Sequence, residues 1–281
     1  RELKDISRIQ KSIGTLGGGN HFIELDKDDI GNVYLVIHTG SRNLGLQVAN
    51  IYQEKAIKHL TDGADDLELR IKEIIEKYKA TGRRSELKDV IKKIRKEQQH
   101  IAPALPTELC YVEGETRKYY LHDMSICQQW AVLNRKLISI LLLKFFNGVE
   151  IKNEFESVHN YISDDNMIRK GAISAAKGEL CIIPLNMRDG SLICVGKGNT
   201  DWNCSAPHGA GRILSRNQAY EQITMKDFES SMNGIYSESI NEFTRDEAPM
   251  VYKPIEAIID NIGETVTIET IIRPIFNFKA M

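Results

Sequence analysis

Gly14-Thr15-Leu16-Gly17-Gly18-Gly19-Asn20-His21-Phe22-Ile23-Glu24-Leu25, with Val33-Tyr34-Leu35-Val36-Ile37-His38-Thr39-Gly40 close behind it, decides the fold. Residues 22–25 are a short apolar run and residues 33–38 are β-branched and aromatic, so the stretch reads as loop, strand, loop, strand, loop. Each strand runs next to a histidine. The period then changes: Val48, Ile51, Tyr52, Ala56 and Leu60 recur at spacings of three and four, which predicts a helix over 46–61. Further on, a long helix is predicted over 119–146, with Trp130 in the core and Met124, Cys127, Ala131, Ile138, Leu141 and Phe145 as its buried stripe. Strands are expected at 179–184, 191–196 and 265–278, and a short helix at 215–222. Strands and helices do not alternate as βαβ units. The expected class is therefore α+β, a mixed or largely antiparallel β core with surrounding helices.

A chain of 281 residues can bury a full core without disulfide or metal staples. The expectation is one domain over 1–281, carrying a charged helical hairpin at 63–106. From Arg70 to Gln99 there are eleven Lys or Arg against five Asp or Glu, with Leu and Ile at helical spacing. A solvated insertion is the simpler reading of that hairpin, and a basic arm on a phosphate backbone is the functional one. Pro103 and Pro106 are expected to end it. The overall net charge of −2 excludes a global electrostatic footprint for nucleic acid, so any basic surface is local. Five cysteines without a C-x-x-C pair do not form a closed disulfide framework and suit a reducing, cytoplasmic setting. The most apolar segment, 137–146, contains Ser139 and Lys144 and falls short of the roughly 20 residues a spanning helix needs. No membrane partner is expected.

Four histidines sit beside small or polar residues: His21 after the glycine run, His38 before Thr39-Gly40-Ser41-Arg42, His159 before Asn160-Tyr161, and His208 in Pro207-His208-Gly209-Ala210-Gly211-Arg212. A ligand or nucleophile needs such an open approach, whereas a core histidine has apolar neighbours on both sides. The glycine run can converge backbone N–H groups on an anion, but no Gly-Lys-Ser/Thr follows, so it is not a P-loop. His21, His38 and His159 are neutral-imidazole candidates for a divalent transition metal, though each alone also fits a structural histidine. His59, His100 and His122 lie in helical or linker sequence and read as structural or surface residues. Around His208, small residues admit a phosphate, Arg212 can clamp its oxygens, and a neutral ring nitrogen can attack phosphorus. The plainer alternative is a turn in which His208 caps a following helix that includes Ile213 and Leu214.

Taken in order, Gly14 to Glu24, His38-Thr-Gly-Ser-Arg42-Asn-Leu-Gly45, His159-Asn-Tyr161, Arg169-Lys-Gly-Ala172 and His208-Gly-Ala-Gly-Arg212 resemble the successive signature blocks of the RNA-splicing ligase RtcB family. Val251-Tyr-Lys253 and Asn277-Phe-Lys279 extend the likeness over nearly the whole chain.

The resemblance implies an RNA ligase that uses GTP and two manganese ions to join a 3′-phosphate or 2′,3′-cyclic phosphate end to a 5′-hydroxyl, in RNA repair or tRNA splicing. It implies His208 as the nucleophile that carries GMP, and His21, His38 and His159 as manganese ligands. Asn20, Phe22, Glu24, Asn160, Ser191, Ala210, Tyr252 and Lys279 would contact the nucleotide, with Arg42 and Arg212 on phosphate or RNA. The family's Asp-x-x-Cys metal block precedes the Gly-Asn-His motif, so the complete protein is expected to carry it ahead of Arg1. Asp201-Trp-Asn-Cys204 fits the letters in the wrong place. A catalytically impaired RNA-binding homologue is the alternative reading of a chain without that block. Pro184-Leu-Asn-Met187 replaces the family's Pro-Gly-Ser-Met and suggests a divergent, RNA-repairing subgroup. A lysine nucleotidyltransferase built on Lys79-Ala-Thr-Gly82 is the competing enzyme class.

Overall fold

A computed structural model describes residues 3–61, 64–98, 105–146 and 148–279. The elements run in chain order α1 (Ile6–Lys11), β1 (Phe22–Lys27), β2 (Val33–His38), α2 (Arg42–His59), α3 (Ala64–Ala80), α4 (Leu87–Gln98) and α5 (Gly114–Leu143). There follow β3 (His159–Ile162), β4 (Ile168–Ser174), β5 (Leu180–Asn186), β6 (Gly190–Gly196), β7 (Ser205–Pro207), α6 (Arg216–Gln222), α7 (Met225–Ser231), β8 (Tyr236–Ser237), α8 (Ile255–Ile262) and β9 (Val266–Lys279). The fold is α+β with antiparallel sheets, as expected. The chain divides into two compact units, Arg1–Ser12 with Ser41–Trp130, and Ile13–Gly40 with Ala131–Met281.

The first unit is helical. Leu44, Val48, Tyr52 and Ala56 recur at spacings of four along α2 and are buried. Leu44, Val48 and Tyr52 pack with Ile9 and Cys127, and Tyr120 and Trp130 close the cluster. The Tyr52 hydroxyl donates to Asp123 at 2.7 Å, so the polar end of this buried ring is satisfied. Helices α3 and α4 form within the charged stretch. Lys79-Ala80-Thr81-Gly82 is the carboxyl end of α3, where Gly82 at φ 72° turns the chain, so these letters mark a helix stop. Pro103 and His100 lie outside the described residues.

The second unit holds every strand among the described residues. One sheet runs β2-β1-β9-β6-β5 with β8 added beside β9, and a smaller one runs β3-β4-β7. Strand β9 is central, yet it contains Pro274, which has no N–H for a ladder. The β1–β9 register shifts at Leu25/Asp26 where Pro274 pairs, and the bulge accommodates the missing donor. Ile183, Leu192, Cys194, Val266 and Ile258 build the core under β5, β6 and α8, while Phe228, Met232, Met187 and Val251 build a second cluster.

The stripe expected on α5 is only partly buried. Cys127 and Ile138 are inside, but Leu141 is 43% exposed and Phe145, just past the helix end, is 83% exposed. The inward face takes the polar Asn134 instead, and the last turn meets the loop at Gly14 from one side, through Leu137 and Leu141. Among the described residues no helix is long and apolar enough to cross a membrane.

Candidate active site

Strand ends in the two sheets of the second unit deliver four imidazoles to one place. Phe22 opens β1 directly after His21, and the antiparallel register sets Phe22 opposite His38 at the end of β2. The His21 and His38 rings stand 5.9 Å apart, centroid to centroid. In the smaller sheet His159 opens β3 and pairs with Ile173, while Ile173 pairs with Ala206 of β7 just before His208. The His38 and His159 rings are 5.5 Å apart, and those of His159 and His208 are 4.9 Å apart. Residues separated by up to 187 positions in sequence thus form one row.

The surrounding backbone fixes each ring. His21 Nδ1 lies 2.9 Å from the Leu16 carbonyl, which also accepts from Thr39 Oγ1 at 2.6 Å. A carbonyl only accepts, so Nδ1 carries the proton and Nε2 holds the lone pair. Asn134, fully buried on α5, ties the two loops together. Its Oδ1 accepts from the Gly14 and Thr15 amides at 2.7 and 3.2 Å, and its Nδ2 donates to the carbonyls of Thr15 and Gly40 at 3.1 and 3.3 Å. On the other sheet Asn160 takes a left-handed φ of 59° at a bulge, and its Oδ1 accepts from the Gly171 amide at 3.0 Å. Gly171 itself has φ 68°, and a Cβ there would stand 3.6 Å from His208 Cε1. The Gly171 carbonyl accepts from the His208 amide at 3.4 Å.

Burial and neighbouring charge disfavour the protonated forms of His38 and His159. Desolvation first, then the charges of His159, His21, Lys279 and His208, lower the His38 pKa to about 3. Desolvation and then His208 lower that of His159. Among the described residues His159 Nδ1 is buried with no hydrogen-bond partner. Neutral, adjacent imidazoles with one orphaned nitrogen are the donor chemistry of a transition-metal site. Among the described residues, however, no group of three or more His, Cys, Asp or Glu side chains is placed to hold a metal ion.

Beside the row lies a buried charged cluster. Glu24 is 3% exposed and Lys279 5%. Glu24 accepts from Asn277 Nδ2, its partner across the β1–β9 ladder. Burial, against the opposing effects of Lys279 and Asn277, raises the Glu24 pKa to about 7. Lys279 Nζ lies 5.2 Å above the Phe22 ring and donates to Glu247 at 3.1 Å. Glu247 also accepts from the Tyr252 hydroxyl at 2.6 Å and from Arg212 at 3.1 Å. Burial works against ionisation of Glu247, yet Lys279, Tyr252 and Arg212 together hold its pKa below the ordinary value.

Most residues expected at the site therefore meet in this unit, with differences in detail. Arg212 also donates to the carbonyls of Leu214 at 3.0 Å and Asp246 at 2.6 Å, so much of its fork braces the loop after His208. That loop leads into α6, whose amino-terminal cap is Ser215, and Ile213 and Leu214 precede the helix instead of belonging to it. Ala210 is buried, and its amide donates to the Pro184 carbonyl at 3.0 Å. Pro184 is in turn the ladder partner of Ser191, whose hydroxyl is buried without a partner among the described residues. Asn20 is exposed at the end of the glycine loop. Arg42 belongs to the first unit, where it starts α2 with φ 57°. His59 and His122 are exposed, and His59 faces Glu113 at 3.3 Å. Asn134, Glu247 and Asp246 were not anticipated, because no short spacing links them to the histidines.

A model of the tRNA-splicing ligase RtcB family matches residues 2–280. The chain is 28% identical over 269 residues to the RNA-splicing ligase RtcB of Escherichia coli strain K12, covering 89% of this chain and 56% of that protein. It is 27% identical to the tRNA-splicing ligase RtcB of Aeropyrum pernix, covering 89% of this chain and 55% of the relative. Against that of Pyrococcus horikoshii it is 25% identical over 90% of this chain and 31% of the relative. The chain spans about half the length, or less, of these curated relatives.

Proposed function

This chain belongs to the RtcB family, and on that premise we propose that it serves an RNA ligase that joins a 3′-phosphate end to a 5′-hydroxyl with GTP. The observation that carries the proposal is the row of four imidazoles, in which His208 is half-buried, reachable and 4.9 Å from His159.

An unprotonated nitrogen of His208 attacks the α-phosphorus of GTP. A P–N bond forms, the bond to the bridging oxygen breaks, and pyrophosphate leaves. An oxygen of the RNA 3′-phosphate then attacks the same phosphorus and the P–N bond breaks, which transfers GMP to the RNA and restores the imidazole. The 5′-hydroxyl oxygen finally attacks the RNA phosphorus, the phosphorus–oxygen bond to GMP breaks and GMP leaves, the hydroxyl proton passes to solvent water, and a 3′,5′-phosphodiester remains. A 2′,3′-cyclic phosphate enters after water has opened it to the 3′-phosphate.

His21, His38 and His159 are the residues that would hold manganese, which when bound neutralises charge on phosphate oxygens. The low basicity of His38 and His159 supports this role, since only a neutral imidazole offers a lone pair. Gly171 and Asn160 hold the His208 backbone, and the glycine loop ahead of His21 offers amides to phosphate. Glu24 suits the donor edge of guanine, and Lys279, whose ammonium lies over the Phe22 ring, neutralises the cluster behind it. Arg212 braces the nucleophile loop against Glu247.

The test is covalent labelling of the full-length protein by α-labelled GTP with manganese. The unaltered and Lys79→Ala proteins are expected to take up label and His208→Ala to take up none. No label on the unaltered protein, or label that survives in His208→Ala, overturns the assignment.

A further inference from the structure

The buried side of the larger sheet carries more polar groups than its neighbours satisfy. Asp26 is 0% exposed, and neither of its carboxyl oxygens meets a hydrogen-bond partner among the described residues. Ser191 Oγ and Asn277 Oδ1 are likewise buried and unpaired. Asp26 stands two residues beyond Glu24 on β1, so the two carboxyls share a face about 7 Å apart along the strand. The bulge at Leu25/Asp26 sets Asp26 opposite Pro274, which offers no N–H. Ser191 pairs with Ile272, two residues back along β9, and Asn277 faces Glu24. The unpaired atoms therefore lie along neighbouring positions of β1, β9 and β6.

Native proteins pair their buried polar groups, so orphans gathered on one face indicate a polar ligand. Glu24 alone has two oxygens for a guanine edge that presents three hydrogens, one on the ring nitrogen and two on the exocyclic amino group. One oxygen of Glu24 is already held by Asn277.

We propose that Asp26 is a second base-reading residue, its carboxyl oxygen accepting the amino hydrogen of guanine that points away from Glu24. This rests on the ligase reading of the site. Burial and the nearby Glu24 raise the Asp26 pKa to about 9, so near neutral pH the side chain is an uncharged acid with one donor and one acceptor. An asparagine of the same shape keeps both functions, and a leucine keeps neither.

The experiment compares covalent labelling by GTP and by inosine triphosphate, which lacks the exocyclic amino group, in the full-length protein with manganese. Asp26→Leu is expected to lower the rate of GTP labelling about tenfold while the inosine nucleotide labels it at the unaltered rate. Asp26→Asn is expected to stay close to the unaltered protein with both nucleotides. Asp26→Ala supplies the same comparison should the leucine variant not fold. GTP labelling that is unchanged in the folded Leu and Ala variants, or an equal fall with both nucleotides, overturns the role of Asp26. Failure of the unaltered protein to label with either nucleotide overturns the ligase reading itself.

Discussion

Replacing Asp26 by asparagine should make this protein more stable at neutral and alkaline pH. In the folded chain burial and Glu24 hold the Asp26 pKa at about 9, against an ordinary value of 3.8. Between those limits the folded state keeps a proton that the unfolded chain has released, so the stability of the unaltered protein falls as pH rises. The slope is about 1.4 kcal/mol per pH unit for one proton. From pH 5 to pH 8 that amounts to up to about 4 kcal/mol, a large share of the roughly 5–15 kcal/mol that holds a typical domain together. Asparagine has no proton to keep and fits the same volume, so the variant escapes this slope. Tyr34 sits opposite Asp26 on β2, but its hydroxyl goes to Asp28 at 2.9 Å and offers Asp26 no relief. Urea unfolding of both proteins at pH 5, 6, 7 and 8 measures the effect. The advantage of the variant should grow with pH and shrink towards pH 4. A constant difference, or a variant that is the weaker protein at pH 8, refutes the reasoning.

Glu247→Gln should destabilise the second unit by about 3–5 kcal/mol, because it strands the buried ammonium of Lys279 and loosens Arg212. Since the Glu247 pKa is depressed, its stabilising charge is present above the ordinary carboxylate range and lost as pH falls through the folded value, so denaturant curves of the two proteins should converge in acid. Asn134→Leu removes the acceptor for the Gly14 and Thr15 amides and should cost roughly 2–4 kcal/mol by urea unfolding, with loss of GTP labelling because His21 and His38 lose their common anchor. Gly196→Ala would place a Cβ 2.3 Å from the Ala176 carbonyl oxygen, and thermal unfolding should show a penalty of about 2–3 kcal/mol.

Much of this molecule is legible along the chain. The strands at 22–27, 33–38 and 180–196 follow from β-branched runs bounded by turn residues, and α2 follows from its spacing of four. Strands β3, β4 and β7 escaped that reading. They are short, they are polar around His159-Asn160 and Arg169-Lys170, and β3 bends at Asn160, so no alternating pattern marks them. The same holds for α5, where periodicity identified a helix but not which end of its stripe is covered.

The four histidines were singled out by small neighbours and by order, which are local properties and therefore written in the sequence. Their grouping is not local. His21 and His38 meet through an antiparallel register, while His159 and His208 meet through a different sheet. The Glu247 hub and the unpaired Asp26 arise in the same way, because a partner across a ladder or beneath a loop leaves no spacing to read. The sequence by itself thus determined most element types and the family, and singled out the candidate side chains. Only the tertiary structure decided which of them touch, which are stripped of water and which remain unpaired, because those properties depend on distances through space.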